Sequence, residues 1–154
     1  AGFVKDNRGL TYYLDEKGEK VLGLHEINGD LYYFRQGGAY KYTQLGDMWQ
    51  DSINYINGKI YYFGHDGKAI KNRFYQWGND WYYFYADGTA ATGAVQINGQ
   101  KLYFDKNHGR QVKGAFAPDG HYYDENSGEL VTNQTRTING VTYHFDENGN
   151  ATKV

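Results

Sequence analysis

Cysteine is absent from this chain, proline and methionine occur once each, and no apolar run approaches the roughly 20 residues a membrane-spanning helix needs. The first absence excludes disulfides, thiolate metal sites and cysteine nucleophiles. The last excludes membrane insertion by a helix. An excess of one charge is missing too: 16 Lys plus Arg stand against 18 Asp plus Glu among 154 residues, a formal charge of -2 with no block of like sign. A phosphate-tracking surface carries a basic patch, so nucleic acid is not an expected partner. No stretch of useful length shows the apolar period of a helix. There is no nucleophile motif and no glycine-rich phosphate loop ahead of a helix. His25, His65, His108, His121 and His144 never fall at the tight spacing of metal ligands. These gaps argue against an enzyme, and no metal or cofactor is expected.

What the chain has in excess is aromatic rings and glycine: 17 Tyr, 8 Phe, 3 Trp and 21 Gly. Tyrosine combines an apolar face with a hydroxyl and suits half-wet surfaces. Much glycine among β-favouring aromatics predicts many short strands joined by tight turns.

Aligned on their aromatic clusters, seven blocks emerge: GLTYYLDEKG, NGDLYYFRQGG, NGKIYYFGHDG, GNDWYYFYADG, NGQKLYFDKNHG, DGHYYDENSG and NGVTYHFDENG. Their closing glycines fall at 18, 38, 67, 88, 109, 128 and 149. A fixed period near 20 marks a stacked array. The expected units run near 9–23, 28–42, 57–71, 78–93, 98–114, 119–133 and 139–153 of a single array over 1–154, with an insertion near 40–50.

Within one unit, Ala94–Ile97 reads as a strand and Asn98-Gly99 as a two-residue hairpin turn. Gln100–Phe104 is the return strand, Asp105–Gly109 a second turn, and Arg110–Lys113 a further strand. Side chains alternate along a strand, so Tyr103 is expected to face away from Leu102 and Phe104. One hairpin cannot bury a core, so neighbours must stack. The predicted fold is an all-β solenoid of stacked hairpins held by nearest-neighbour contacts.

The unit NG-x-x-YYF-D-x-x-G resembles the cell-wall and glucan-binding repeats of Gram-positive surface proteins. The stretch from Arg73 to Phe116, and GHYYDENSGELVTN after it, is similar to the glucan-binding domain of glucansucrases such as dextransucrase. That resemblance implies a non-catalytic module that binds dextran-like, α-1,6-linked glucan or isomalto-oligosaccharides and is appended to a glucosyltransferase. It also implies a secreted or cell-surface protein of a Gram-positive bacterium. The first residues are no signal peptide, so an export signal is expected outside this piece; the fragment itself is expected to be a monomer.

A pyranose needs a flat aromatic beneath it and fixed polar groups around it. Gln111 and Lys113, two apart on one strand, are the clearest polar pair; Val112 faces inward. The resemblance implies a stacking Tyr83 or Tyr103, Gln111 and Lys113 as a polar wall, and Thr92 as a further hydroxyl. Weaker sites are expected at Tyr62 with Lys71 and at Tyr143 with Lys153. At the Gln-x-Lys position the other units read Lys20/Leu22, Tyr40/Tyr42, Ala69/Lys71, Ala90/Thr92, Leu130/Thr132 and Ala151/Lys153.

Other readings compete. Choline modules resemble this chain but begin most units with Gly-Trp, whose ring helps cage a quaternary ammonium. Here Gly93-Ala94 and Gly114-Ala115 hold those places, which counts against choline. A host oligosaccharide and a ligand-free spacer are the remaining alternatives. Trp77 and Trp81 read as an inter-repeat wedge. The recurring Asp105-x-Asn107 and Asp124-x-Asn126 lack the further oxygen ligands of a calcium loop and read as turns. Asp15, Asp66, Asp87, Asp105 and Asp146 recur turn after turn, whereas glycosidase chemistry needs one unlike pair across a cleft.

Overall fold

Asn28, Asn57, Asn98 and Asn139 take left-handed φ values of 54°, 52°, 52° and 51°, and the glycine after each is left-handed too. Two successive residues of this kind make the turn whose twist matches an antiparallel pair. Hairpins follow in this computed structural model, which describes residues 1–37 and 45–154. They are β1 (Gly2–Lys5) with β2 (Thr11–Leu14), β3 (Gly23–Ile27) with β4 (Asp30–Phe34), and β5 (Ser52–Ile56) with β6 (Lys59–Phe63). Then come β7 (Arg73–Trp77) with β8 (Asp80–Phe84), β9 (Gly93–Ile97) with β10 (Gln100–Phe104), and β11 (Ala115–Phe116) with β12 (Tyr122–Tyr123). The last sheet joins β13 (Gln134–Ile138), β14 (Val141–Phe145) and β15 (Ala151–Lys153). No helix occurs among the described residues. The first hairpin starts at Gly2, ahead of the aromatic cluster that marks its repeat in the sequence.

The chain divides into two compact units: residues 1–73 with 84–89, and residues 74–83 with 90–154. Each is a stack of hairpins, and the fold class is an all-β solenoid.

A short tail after each hairpin makes the stack. In the first unit the Met48 N–H donates to the Thr11 carbonyl at 2.7 Å, and the Ala69 N–H to Leu31 at 2.8 Å. In the second unit the Gln111 N–H donates to Trp81 and the Leu130 N–H to Lys101, both at 2.8 Å. Every acceptor lies on the return strand of the preceding hairpin. The next residue turns back on its own hairpin: Trp49 donates to Tyr33, Ile70 to Tyr62, Val112 to Tyr103 and Val131 to Tyr122. The side chain that starts such a tail lies on the closing glycine of the following repeat in five cases. Lys20 lies on Gly46, Met48 on Gly67, Ala69 on Gly88, Gln111 on Gly128 and Leu130 on Gly149.

This register corrects two expectations. Among the described residues the closing glycine of the second repeat is Gly46, whose N–H donates to the Arg35 carbonyl. Its tail is Met48 to Gln50, since Met48 bridges to Phe34 as Gln111 bridges to Phe104. Gly38, Tyr40 and Tyr42, which the sequence alignment placed at this step, lie outside the described residues.

Side chains of the return strand do alternate, but both faces are buried. Leu102 and Phe104 (1% and 0% exposed) pack with Ala91 and Ile97, while Tyr103 (2%) packs with Ala117 and Tyr123. Tyr103 therefore has no open face. A return strand enclosed on both sides by its neighbours leaves its middle tyrosine no water to face. In the first unit Tyr33, Tyr61 and Phe63 cluster with Ile56 and Ala69. Phe34, Phe63, Phe84, Phe104 and Phe145 are fully enclosed, each such ring contributing roughly 2–3 kcal/mol of burial.

The repeated turn aspartates accept backbone N–H groups. Asp124 takes those of Asn126 at 2.9 Å and Ser127 at 2.8 Å, and pairs with Arg136 at 2.9 Å. The Ser127 and Asn126 amides, with that guanidinium, hold its carboxyl well below the usual carboxylate range. The Asn150 amide lowers Asp146 in the same way.

Gly99→Ala and Gly149→Ala both force an alanine into left-handed backbone, at roughly 1–2 kcal/mol. At Gly99 the new methyl meets open space, but at Gly149 it overlaps Leu130 and His121. Urea unfolding is expected to show Gly149→Ala less stable than Gly99→Ala by about 1–3 kcal/mol. The depressed carboxylates give stability that is present above their ordinary pKa of 3.8 and is lost as pH falls through their lowered values. The Tm is therefore expected to stay level from about pH 7 to pH 5 and to drop below about pH 4. Asp124→Ala should be less stable at neutral pH by on the order of 1–2 kcal/mol and should lose less on acidification.

Candidate functional site

Gln111, Val112 and Lys113 form the tail of the β9–β10 hairpin. Two backbone hydrogen bonds hold the tail between strands: Gln111 N–H to Trp81 and Val112 N–H to Tyr103, both 2.8 Å. Alternation then sends Val112 inward, against the cluster of Tyr103, Ala117 and Tyr123. Gln111 and Lys113 lie together on the other side, half-buried.

Their surroundings fix them further. The Gln111 amide rests on Gly128, where a methyl group would overlap Nε2, and the Lys113 stem passes beside the same glycine. The Lys113 ammonium sits 5.4 Å from the centroid of the Trp81 ring. That distance is within cation–π range, so the amine is positioned without being consumed by a carboxylate. The result is a half-buried indole, one cation and one carboxamide on a single surface, with mixed donors and acceptors suited to hydroxyl groups.

The sequence reading brought some of these groups together and not others. Gln111 and Lys113 are neighbours. Tyr103 is enclosed, as described above. Tyr83 is half-buried and packs edge-on against Phe74 at 4.9 Å, next to Ala91 and Phe104. Thr92 is exposed in the tail of the preceding repeat, at the place Lys113 holds in its own. The aromatic beside the polar pair is Trp81, which the sequence suggested as a wedge. One clue pointed to it: Trp81 lies two residues before Tyr83 and so on the same face of β8.

The two weaker sites fare differently. Tyr62 is 5% exposed, and Lys71 donates to the Gly29 carbonyl at 2.7 Å with Asp30 3.9 Å away. That pair therefore has neither an open ring nor an unengaged cation. Tyr143 and Lys153 stand directly opposite across β14 and β15, with Tyr143 half-buried beside Phe116 at 5.3 Å. No cluster of His, Cys, Asp or Glu able to hold a metal ion occurs among the described residues.

Residues 91–134 match the model of the choline-binding repeat, and residues 1–20, 72–90 and 136–151 match that of a cell wall binding repeat. The chain is 40% identical over 97% of its length to glucosyltransferase-S of Streptococcus mutans, and 37% identical over 97% to glucosyltransferase-I of Streptococcus downei. This chain belongs to the cell-wall-binding repeats of the kind glucosyltransferases carry. It spans about a tenth of the length of those relatives, 10% and 9%. Choline binding protein F of Streptococcus pneumoniae has the same solenoid, with a TM-score of 0.78, 28% identity, and coverage of 98% of this chain and 47% of that one. The matched stretch is thus a binding-repeat module rather than a catalytic domain.

The tail side chains differ from repeat to repeat of this chain: Met48 and Gln50, Ala69 and Lys71, Gln111 and Lys113, Leu130 and Thr132. Gly128→Ala is expected to leave the hairpins folded and to push the Gln111 amide off its seat. Shifted Gln111 side-chain resonances in an NMR spectrum, with those of the β13–β14 hairpin unchanged, would be the sign of it.

Proposed function

We propose that this chain is a non-catalytic carbohydrate-binding module for dextran-like α-glucan, appended to a secreted or cell-surface glucosyltransferase of a Gram-positive bacterium. The observation that carries this reading is the preset trio of Trp81, Gln111 and Lys113, on one surface where the tail of the β9–β10 hairpin meets β8. A glucosyl ring lies along the indole edge, and its hydroxyls take the carboxamide and the ammonium. Each contact is modest; a polymer engaging more than one repeat gains by effective concentration. Relatedness to glucosyltransferases supports glucose polymer over other saccharides.

Choline is the second reading, favoured by the family model that matches residues 91–134. The geometry weighs against it at this site. A quaternary ammonium needs an aromatic cage, and here the cation position near Trp81 already holds Lys113. Like charge would repel the ligand.

Retardation of the chain on a dextran gel is expected, with competition by isomalto-oligosaccharides and none by choline. Gln111→Ala and Lys113→Ala should each weaken binding about tenfold, roughly 1.4 kcal/mol. Unchanged retardation in the double variant would remove this surface from the site.

A further inference from the structure

We propose a second carbohydrate site in the first unit, for a neutral polyhydroxylated ligand such as a glucosyl residue, in the cleft between the Gly9–Thr11 turn and the segment Asp47–Asn54. It rests on the glucan-binding reading and adds a site of different chemistry. The cleft has a volume of ≈ 430 Å³, within the size class of small-molecule sites.

Its base is rigid and uncharged overall. Asp47, 6% exposed, is the buried charged side chain among the described residues. Arg35 neutralises it, Nε donating at 2.7 Å and Nη2 at 3.4 Å. The guanidinium lies 5.7 Å from the centroid of the Trp49 ring, and Trp49 packs on Tyr33 at 4.1 Å. A buried carboxylate already paired in this way has no net charge to offer a metal ion or a charged ligand. What remains is a directional set of polar groups.

The rim supplies them. Asn54 Nδ2 donates to the Ser52 hydroxyl at 3.0 Å and to the Ser52 carbonyl at 3.2 Å. Those bonds orient the amide and present its Oδ1 as an acceptor. Gln50, exposed beside it, brings both a donor and an acceptor. Hydroxyls, each donor and acceptor at once, match this set; an anion or a cation matches only half of it.

Repeat register places this cleft where the first site lies in its own unit. Met48 and Gln50 hold the tail positions of Gln111 and Lys113, and Thr11 holds that of Trp81, since Met48 donates to Thr11 as Gln111 does to Trp81. The cation becomes a carboxamide and the indole a hydroxyl. Binding here runs mainly on hydrogen bonds, with Trp49 as the aromatic ring in the lining.

Calorimetric titration of the full chain with isomaltotriose tests this. Two saccharides per chain are expected. Gln111→Ala/Lys113→Ala should retain one, and Gln50→Ala/Asn54→Ala should retain the other. Gln50→Ala alone, at an exposed position that does not bear on folding, should weaken the first-unit site at least threefold. Trp49 fluorescence should still respond to ligand in the Gln111→Ala/Lys113→Ala variant. One saccharide per chain, lost with Gln111→Ala/Lys113→Ala and untouched by Gln50→Ala/Asn54→Ala, overturns this inference and leaves the glucan reading standing. No heat with the unaltered chain overturns both.

Discussion

Within each compact unit a short tail fastens one hairpin to the next. Its first N–H bonds to the return strand of the hairpin before, its second N–H bonds to its own hairpin, and its first side chain rests on the closing glycine of the hairpin after. Three neighbours thus meet on two residues. The closing glycine supplies left-handed backbone at every one of these contacts, and at Gly67, Gly128 and Gly149 it also leaves room that a methyl group would take. A hairpin alone exposes too much apolar surface to persist. The tail converts a row of such hairpins into units whose interiors are filled by one enclosed phenylalanine per repeat in most repeats.

The same constraint decides where ligand chemistry is possible. Both faces of the return strand are spent on packing, so most tyrosines that look like sugar platforms belong to the core. The surface left for function is the outer side of the tail and whatever aromatic the preceding return strand presents beside it. In the β9–β10 repeat these are Gln111, Lys113 and Trp81. In the first unit they are Met48, Gln50 and Thr11, with the Arg35–Asp47 pair beneath. Side chains at the tail vary without disturbing the stack, because the backbone bonds hold it. A repeat array can therefore keep one architecture and change its ligand contacts unit by unit.

Electrostatics has a supporting part. Turn aspartates such as Asp124 and Asp146 spend their carboxylates on amides of their own turns. They recur because each turn needs an acceptor, which explains a series that superficially resembles a metal loop. Asp47 differs. It is buried, paired to Arg35 and positioned at the base of a cleft, so its burial is offset by a contact made only in the folded unit.

The sequence by itself determined the hairpins. Asn-Gly pairs fix turn type locally, and the 20-residue spacing of aromatic clusters fixes the repeat, so the fold class and the Gln111–Lys113 pair were legible before any coordinates. Tertiary structure decided what strand alternation could not: whether the outward face of Tyr103 meets water or a neighbouring hairpin. Alternation assigns a side, and stacking assigns its contents. The same holds for the second repeat, where matching YKY to a tail was locally reasonable and only the bridge from Phe34 to Met48 set the register. Trp81 joined the proposed site for the same reason: its place beside Lys113 comes from a hydrogen bond between residues 30 positions apart, which no local pattern contains.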